Sequence, residues 1–278
     1  MPELPEVETV MRGMVPVMTG AKIVRAEARR ATLRREIPAD FSARLTDNVC
    51  QRLTRRSKYI LAHFSDGLVM ILHLGMSGKI TLYEKTSAPL PPPGKHDHLI
   101  WETADCLIVF NDPRRFGLVA FAGKDGLDDH PLLRRIGPEP FSNQFNDASL
   151  QTALKDKKSP IKTLLLDQRT VAGIGNIYAC EILWRSGLNP LTQAGSLEPA
   201  MVSTLVRNSR QVLQEAIDAG GSTLKDYARV DGELGYFQHS FKVYGREGEA
   251  CLRSGCNGQV ERITQSGRST FYCSSCQL

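Results

Sequence analysis

Four cysteines in the last 28 residues constrain this 278-residue chain more tightly than any other feature. Cys251 and Cys256 are separated by four residues, Cys273 and Cys276 by two, and sixteen residues lie between the pairs. Two close thiol pairs suit a tetrahedral Zn²⁺ site, whose paired ligands usually stand about two to four residues apart. With four sulfurs bound, no position is left for water, so such a metal is structural. The alternative is disulfide pairing. Cys50, Cys106 and Cys180 are isolated, as buried small hydrophobes are in a reducing cytosol, and this disfavours it. The expectation is one structural zinc on Cys251, Cys256, Cys273 and Cys276.

Ahead of the tail the patterning changes twice. Val7, Val10, Met11, Met14, Val17 and Met18 recur at helical spacing over Glu6–Thr19, and Gly20 follows as a stop. From Lys22 to about Phe121 the period shortens. Lys22–Arg30, Val49–Thr54, Tyr59–Phe64, Leu68–His73, Lys79–Tyr83, His98–Glu102 and Cys106–Asn111 read as strands of a β-sandwich or barrel. Ser87–Lys95, with four prolines, reads as a loop. Gly, Pro, Asp and Asn cluster over Gly123–Asn146, where a domain hinge is expected. From Asp147 the chain turns helical. Ala148–Asp156, Pro160–Gln168 with Ser159 as cap, a helix to Arg185 and Pro199–Ala219 are predicted. The fold class is therefore α+β. The expected domains are 1–135, 136–240 and a finger over 241–278.

The length allows a full hydrophobic core. No apolar run approaches the roughly 18 residues of a membrane span, and no signal peptide is legible. The chain carries a net charge of +5, but Lys22–Lys58 alone holds eleven Lys/Arg against four Asp/Glu. A basic segment in an otherwise balanced chain suits a polyanionic partner. At the other extreme of the sequence, Pro2 presents a secondary amine once Met1 is gone. An α-amine titrates near pH ~8, so a usable fraction is neutral and nucleophilic at neutral pH. Glu3 beside it is placed to move protons. Gly173-Ile-Gly175 before a helix offers backbone N–H groups to a phosphate, and Asn176 adds a side-chain amide.

The sequence PELPEVETV, then SKY at 57–59, HLGMSG at 73–78, KHDH at 95–98, NDPRRFG at 111–117, GIGNIYA at 173–179 and the four-cysteine tail resembles, in order and end to end, the bacterial formamidopyrimidine-DNA glycosylase (Fpg/Nei) family. The resemblance implies a two-sheet sandwich, a helix–two-turn–helix lobe and a β-hairpin zinc finger. It implies a monomer that acts in the bacterial cytoplasm on damaged duplex DNA, bound in a cleft between lobes, without a small-molecule cofactor. The implied activity is excision of oxidised purines, chiefly 8-oxoguanine and formamidopyrimidines, followed by cutting at the abasic site.

By position, the catalytic set is Pro2 as nucleophile, Glu3, Lys58 and Arg268. Lys58 follows Arg55 and Arg56, and neighbouring cations lower a lysine pKa. Met76, Arg114 and Phe116 match a wedge that fills the void left by an everted base. His73, His96, Lys158, Asn176 and Tyr244 match further DNA contacts. His96 and His98 alone lack the additional ligands a metal needs. Ser222–His239 matches a loop over an everted oxidised purine, and Leu4 stands where the endonuclease VIII branch has glycine. The first cysteine pair departs from the family, which usually has two residues in both pairs. Two alternatives are an enzyme of the same architecture for oxidised pyrimidines and a non-catalytic binder of DNA damage.

Overall fold

The apolar stripe at the N-terminus folds into α1 (Leu4–Met18), with Val7, Val10, Met11, Met14 and Met18 buried. The helix begins two residues before the stripe because Pro5 is accepted in its first turn, where a missing N–H costs nothing. Pro16 lies inside it. The carbonyl it deprives of a partner belongs to Arg12, an exposed position. The computed structural model describes residues 2–85, 90–222 and 237–278. Among the described residues no helix is long and apolar enough to cross a membrane. The chain forms two compact units. The first holds the described residues up to Arg134 and residues 219–222, and the second holds Arg135–Asp218 and Phe237–Leu278.

In the first unit the chain continues through β1 (Arg25–Ala28), α2 (Phe41–Leu45), β2 (Cys50–Arg56), β3 (Tyr59–Phe64), β4 (Leu68–His73), β5 (Lys79–Glu84), β6 (Asp97–Glu102), β7 (Cys106–Asn111) and β8 (Leu118–Gly123). They make two antiparallel four-stranded sheets, β1-β6-β7-β5 and β2-β3-β4-β8. Side chains alternate across a pleated sheet. Ile60, Ala62 and Phe64, Leu68, Met70 and Leu72, Leu99 and Trp101, and Ile108 and Phe110 therefore all enter one core with the buried face of α1. This is a sandwich rather than a closed barrel. The Leu, Ile, Met and Phe side chains among them each contribute roughly 1.5–3 kcal/mol when fully buried. The predicted strand Lys22–Arg30 shrinks to the four residues of β1, flanked by a bridge from Lys22 to Val49.

The second unit contains α3 (Asp147–Leu154), α4 (Ile161–Leu166), α5 (Asn176–Ser186), α6 (Pro199–Asp218), β9 (Glu261–Gln265) and β10 (Arg268–Tyr272). Asn146 caps α3, its side chain accepting the Ser149 N–H at 3.0 Å. Pro160 is expected in the first turn of α4 with Ser159 as cap, but Pro160 is itself the cap residue, with φ −58° and ψ 144°. Its extended ψ follows from a bridge to Gln193, and Ile161 N–H donates to Thr192. The hairpin of β9 and β10 pairs Arg268 with Gln265 across Ser266 and Gly267. Both turn residues have positive φ, 51° and 73°, as a tight type I′ turn requires.

Candidate functional site

Pro2 and Glu3 are buried at the start of α1, and Glu3 is only 2% exposed. Glu3 N–H donates to Glu6 Oε2 at 2.9 Å, one half of a capping box. The other oxygen of Glu6 accepts both the N–H and the hydroxyl of Ser222, each at 2.8 Å. Gly220 and Gly221, with φ of 76° and 79°, turn the chain so that it reaches Glu6. A Cβ on Gly221 would stand 3.3 Å from the Glu6 side chain. Glu6 thus fixes the N-terminus to the start of the predicted loop at Ser222–His239. Residues 223–236 of that loop lie outside the described residues. In the sequence Glu6 stands out only as a helix start.

Lys58 is 7% exposed and occupies the turn between β2 and β3, where Ser57 adopts φ 54°. Arg55 ties this turn to α1. Its Nε donates to Glu8 Oε2 at 2.8 Å and its guanidinium to the Ser57 carbonyl at 2.9 Å. The cross-strand partner of Tyr59 is His73, their rings 4.9 Å apart. Burial, with Lys58 and then Arg34 nearby, pulls the His73 imidazole down to about 4. It is therefore neutral at pH 7. Gly75 N–H donates to His73 Nδ1 at 2.9 Å, so the ring proton sits on Nε2.

Met76, Arg114 and Phe116 come together on two neighbouring loops. All three are exposed, and the Arg114 guanidinium lies 5.1 Å from the Phe116 ring centre. Exposed apolar side chains beside a cation are the components of a base-stack wedge. His96 is half-buried, its ring edge-on to that of His98 at 6.2 Å. His98 is spent structurally, its Nε2 hydrogen-bonded to the Asp112 carbonyl at 2.9 Å.

In the second unit Asn176 opens α5. Its side-chain oxygen accepts from Lys162 Nζ at 2.7 Å and its amide donates to the Ser269 carbonyl at 2.8 Å. Lys162, 1% exposed, also donates to Thr270 Oγ1 at 2.7 Å. This buried cation joins α4, α5 and β10, and so holds Asn176 and the adjoining Arg268 in one frame. Arg268 itself is exposed. Tyr244 is positioned by Glu181, whose carboxylate accepts the N–H groups of Lys242, Val243 and Tyr244 at 2.9–3.0 Å. Burial pushes the Glu181 carboxyl up, opposed by these three donors. Lys158 is exposed. Neither Lys162 nor Glu181 carried a motif that singled it out in the sequence.

The four tail cysteines converge, with every Sγ within 4.8 Å of the others. Cys251–Cys276 and Cys256–Cys273 each stand 3.7 Å apart. That is far beyond the ~2.05 Å of a disulfide. It matches the ~3.8 Å edge of a tetrahedron with Zn–S of ~2.3 Å. The Trp184 indole N–H donates to Cys251 Sγ at 3.4 Å and Arg253 Nε to Cys276 Sγ at 3.3 Å. Burial opposes ionisation of Cys251, but the Trp184 N–H and further donors outweigh it and bring the thiol to about 7. These residues can hold one metal ion.

Two family models cover most of the chain: the formamidopyrimidine-DNA glycosylase N-terminal domain over residues 1–119 and the H2TH domain of the same enzyme over residues 136–228. A protein of Ruegeria pomeroyi named formamidopyrimidine-DNA glycosylase is 54% identical, with both chains covered in full. A crystal structure of a Lactococcus lactis variant of that enzyme with Fapy-dG-containing DNA superposes with a TM-score of 0.90 at 34% identity over 99% of each chain. The wild-type Lactococcus lactis protein with DNA containing an oxidised pyrimidine gives 0.89 at the same identity, again over 99% of each chain. The two family models, the full-length identity and the shared architecture agree, and this chain belongs to the formamidopyrimidine-DNA glycosylase family.

Proposed function

We propose that this protein is a monomeric base-excision repair enzyme that removes oxidised purines from duplex DNA and then cuts at the abasic site. The observation that carries the reading is the anchored N-terminus, in which Pro2 and Glu3 are buried and Glu6 fastens the start of α1 to Ser222. A nucleophile must be held in place to react efficiently. The Pro2 lone pair attacks C1′ of the everted nucleotide, the glycosidic bond breaks, and the base leaves with a proton. Glu3 moves that proton and those of the opening sugar. The resulting iminium acidifies C2′–H. Loss of that proton expels the 3′ phosphate by β-elimination, and δ-elimination then expels the 5′ phosphate. Lys58 and Arg268 neutralise phosphate charge during these steps. The chemistry requires a free Pro2 amine, so the reactive form lacks Met1.

The wedge of Met76, Arg114 and Phe116 supports eversion. His73, His96, Lys158, Asn176 and Tyr244 supply backbone contacts. The Nε2–H of neutral His73 is a suitable donor to a phosphate oxygen. Zinc is the metal that best suits four thiolates at this spacing. Bound to Cys251, Cys256, Cys273 and Cys276, it would brace the hairpin that carries Arg268. Seven free thiols agree with a bacterial cytoplasm, where cysteines stay reduced.

Sodium borohydride trapping on a duplex containing 8-oxoguanine, followed by peptide mass analysis, tests the reading. The expected adduct is on the N-terminal peptide at Pro2, and Pro2→Gly abolishes it. Absence of any adduct, with Met1 removed and zinc bound, would overturn the purine assignment. A second reading, oxidised pyrimidines, is favoured by the Lactococcus lactis protein's complex with such DNA. Trapping on a dihydrouracil duplex separates the two. Binding without an adduct on either duplex would leave only a silent damage binder.

A further inference from the structure

The wedge side chains come from two stretches far apart in sequence, the loop between β4 and β5 for Met76 and the loop between β7 and β8 for Arg114 and Phe116. One buried carboxylate joins them. Asp112 is 0% exposed. Its Oδ1 accepts the Ser77 hydroxyl at 2.7 Å and its Oδ2 accepts the Gly117 N–H at 2.7 Å. The Ser77 oxygen in turn accepts the Arg114 N–H at 3.2 Å. So the residue after Met76, the residue after Phe116 and Arg114 itself all end on one carboxylate–hydroxyl pair. The backbones also touch. Gly75 has φ +69°, and a Cβ there would stand 2.3 Å from the Phe116 carbonyl carbon. Nothing larger than glycine lets the loops approach this closely.

The chemistry of eversion gives this arrangement a purpose. Turning a base out of the stack costs a few kcal/mol, and the wedge offsets that cost only if its parts enter the duplex together. Functional groups of this kind must be held to within about 0.5 Å by their supporting contacts. The donors to Asp112 are one hydroxyl and one amide, which fix direction as well as distance.

We infer that Asp112, acting through Ser77, is a positioning residue that sets the register of the Met76 loop against the Arg114–Phe116 loop and thereby the efficiency of base eversion. This rests on the proposed glycosylase function. The clamp touches neither the reacting sugar nor Pro2. Its loss acts on the step that an intact damaged base requires and an abasic nucleotide largely does not.

The test uses the zinc-loaded, Met1-free protein and two variants, Ser77→Ala and Asp112→Asn, under single-turnover conditions. One duplex carries 8-oxoguanine and the other a preformed abasic site, each with 2-aminopurine beside the lesion to report unstacking. Ser77→Ala is expected to slow excision about tenfold and Asp112→Asn about a hundredfold, while abasic cutting falls no more than about threefold. The 2-aminopurine rise on the 8-oxoguanine duplex slows in step with excision. Ser77→Ala carries the test if Asp112→Asn does not fold. Variants that excise at the wild-type rate, or that lose both activities in equal proportion, overturn the inference. Wild-type protein that cut neither duplex would instead overturn the function on which the clamp rests, and the clamp with it.

Discussion

Arg253 Nε donates a hydrogen bond to Cys276 Sγ at 3.3 Å, with the guanidinium stacked 4.9 Å from the centre of the Trp184 ring. Arg253 lies within the four-residue spacer of the first cysteine pair. The spacer therefore places a cation beside the four cysteines, where it would offset the excess negative charge of four thiolates around one divalent ion. Contacts of this outer kind typically change metal affinity by about 10–100-fold. Arg253→Ala should weaken zinc retention by that factor, measured as competition with a chromogenic chelator. Unchanged retention would show that the spacer does not serve the metal.

Glu6 accepts from the Glu3 N–H and from the N–H and hydroxyl of Ser222, and an amide cannot reproduce all of these contacts. Glu6→Gln places an NH₂ against the Glu3 N–H or against Ser222. It should cost about 1–3 kcal/mol of stability and lower the yield of the trapped Pro2 adduct. Thermal melting and borohydride trapping, run side by side, check both. A variant that melts earlier but traps normally would separate the anchoring of Glu6 from any effect on the nucleophile.

His73 makes the stability of the first unit depend on pH. The folded imidazole titrates at about 4 against an ordinary 6.5, so between those values the unfolded chain binds a proton that the folded chain does not. Its contribution is complete above 6.5 and is lost as pH falls toward 4, with at most ~3.4 kcal/mol at stake. Denaturation of wild type and His73→Gln at about pH 7 and about pH 4.5 should show wild type losing more stability than the variant on acidification. Parallel losses would mean that His73 titrates normally.

Arg268 is exposed at the first position of β10 and is expected to meet a phosphate. Arg268→Ala should reduce the slope of log affinity against log salt by about 1, to a similar extent for damaged and undamaged duplexes. A loss confined to one lesion would point to contact with a base.

The strands β2 to β7 were readable because their apolar residues alternate or run together between turn residues. Helix α2 was not, since five residues from Phe41 to Leu45 are too few to display a period. Strand β8 was hidden because Leu118–Ala122 is a short unbroken apolar run, which periodicity alone does not assign to a strand. Motifs singled out Pro2, Lys58, Asn176 and the cysteines. They could not locate the groups that hold these in place. Glu6 meets Ser222 across 216 positions, Lys162 meets Thr270 across 108 and Glu181 meets Val243 across 62. Such pairings exist only once the chain is folded, and a lone Glu or Lys carries no trace of them.

Arg268 and Thr270 stand two positions apart and so share one face of β10, yet Arg268 is exposed while Thr270 is buried on Lys162. That face therefore passes from packed to solvent-exposed between these two positions, and the tight turn at Ser266–Gly267 lies on the exposed side. Length added after Gly267 extends the tip and leaves the contact of Thr270 with Lys162 in place. A pair of variants with one and two added glycines should therefore melt alike, and a large loss in either would show that the turn itself holds the finger together.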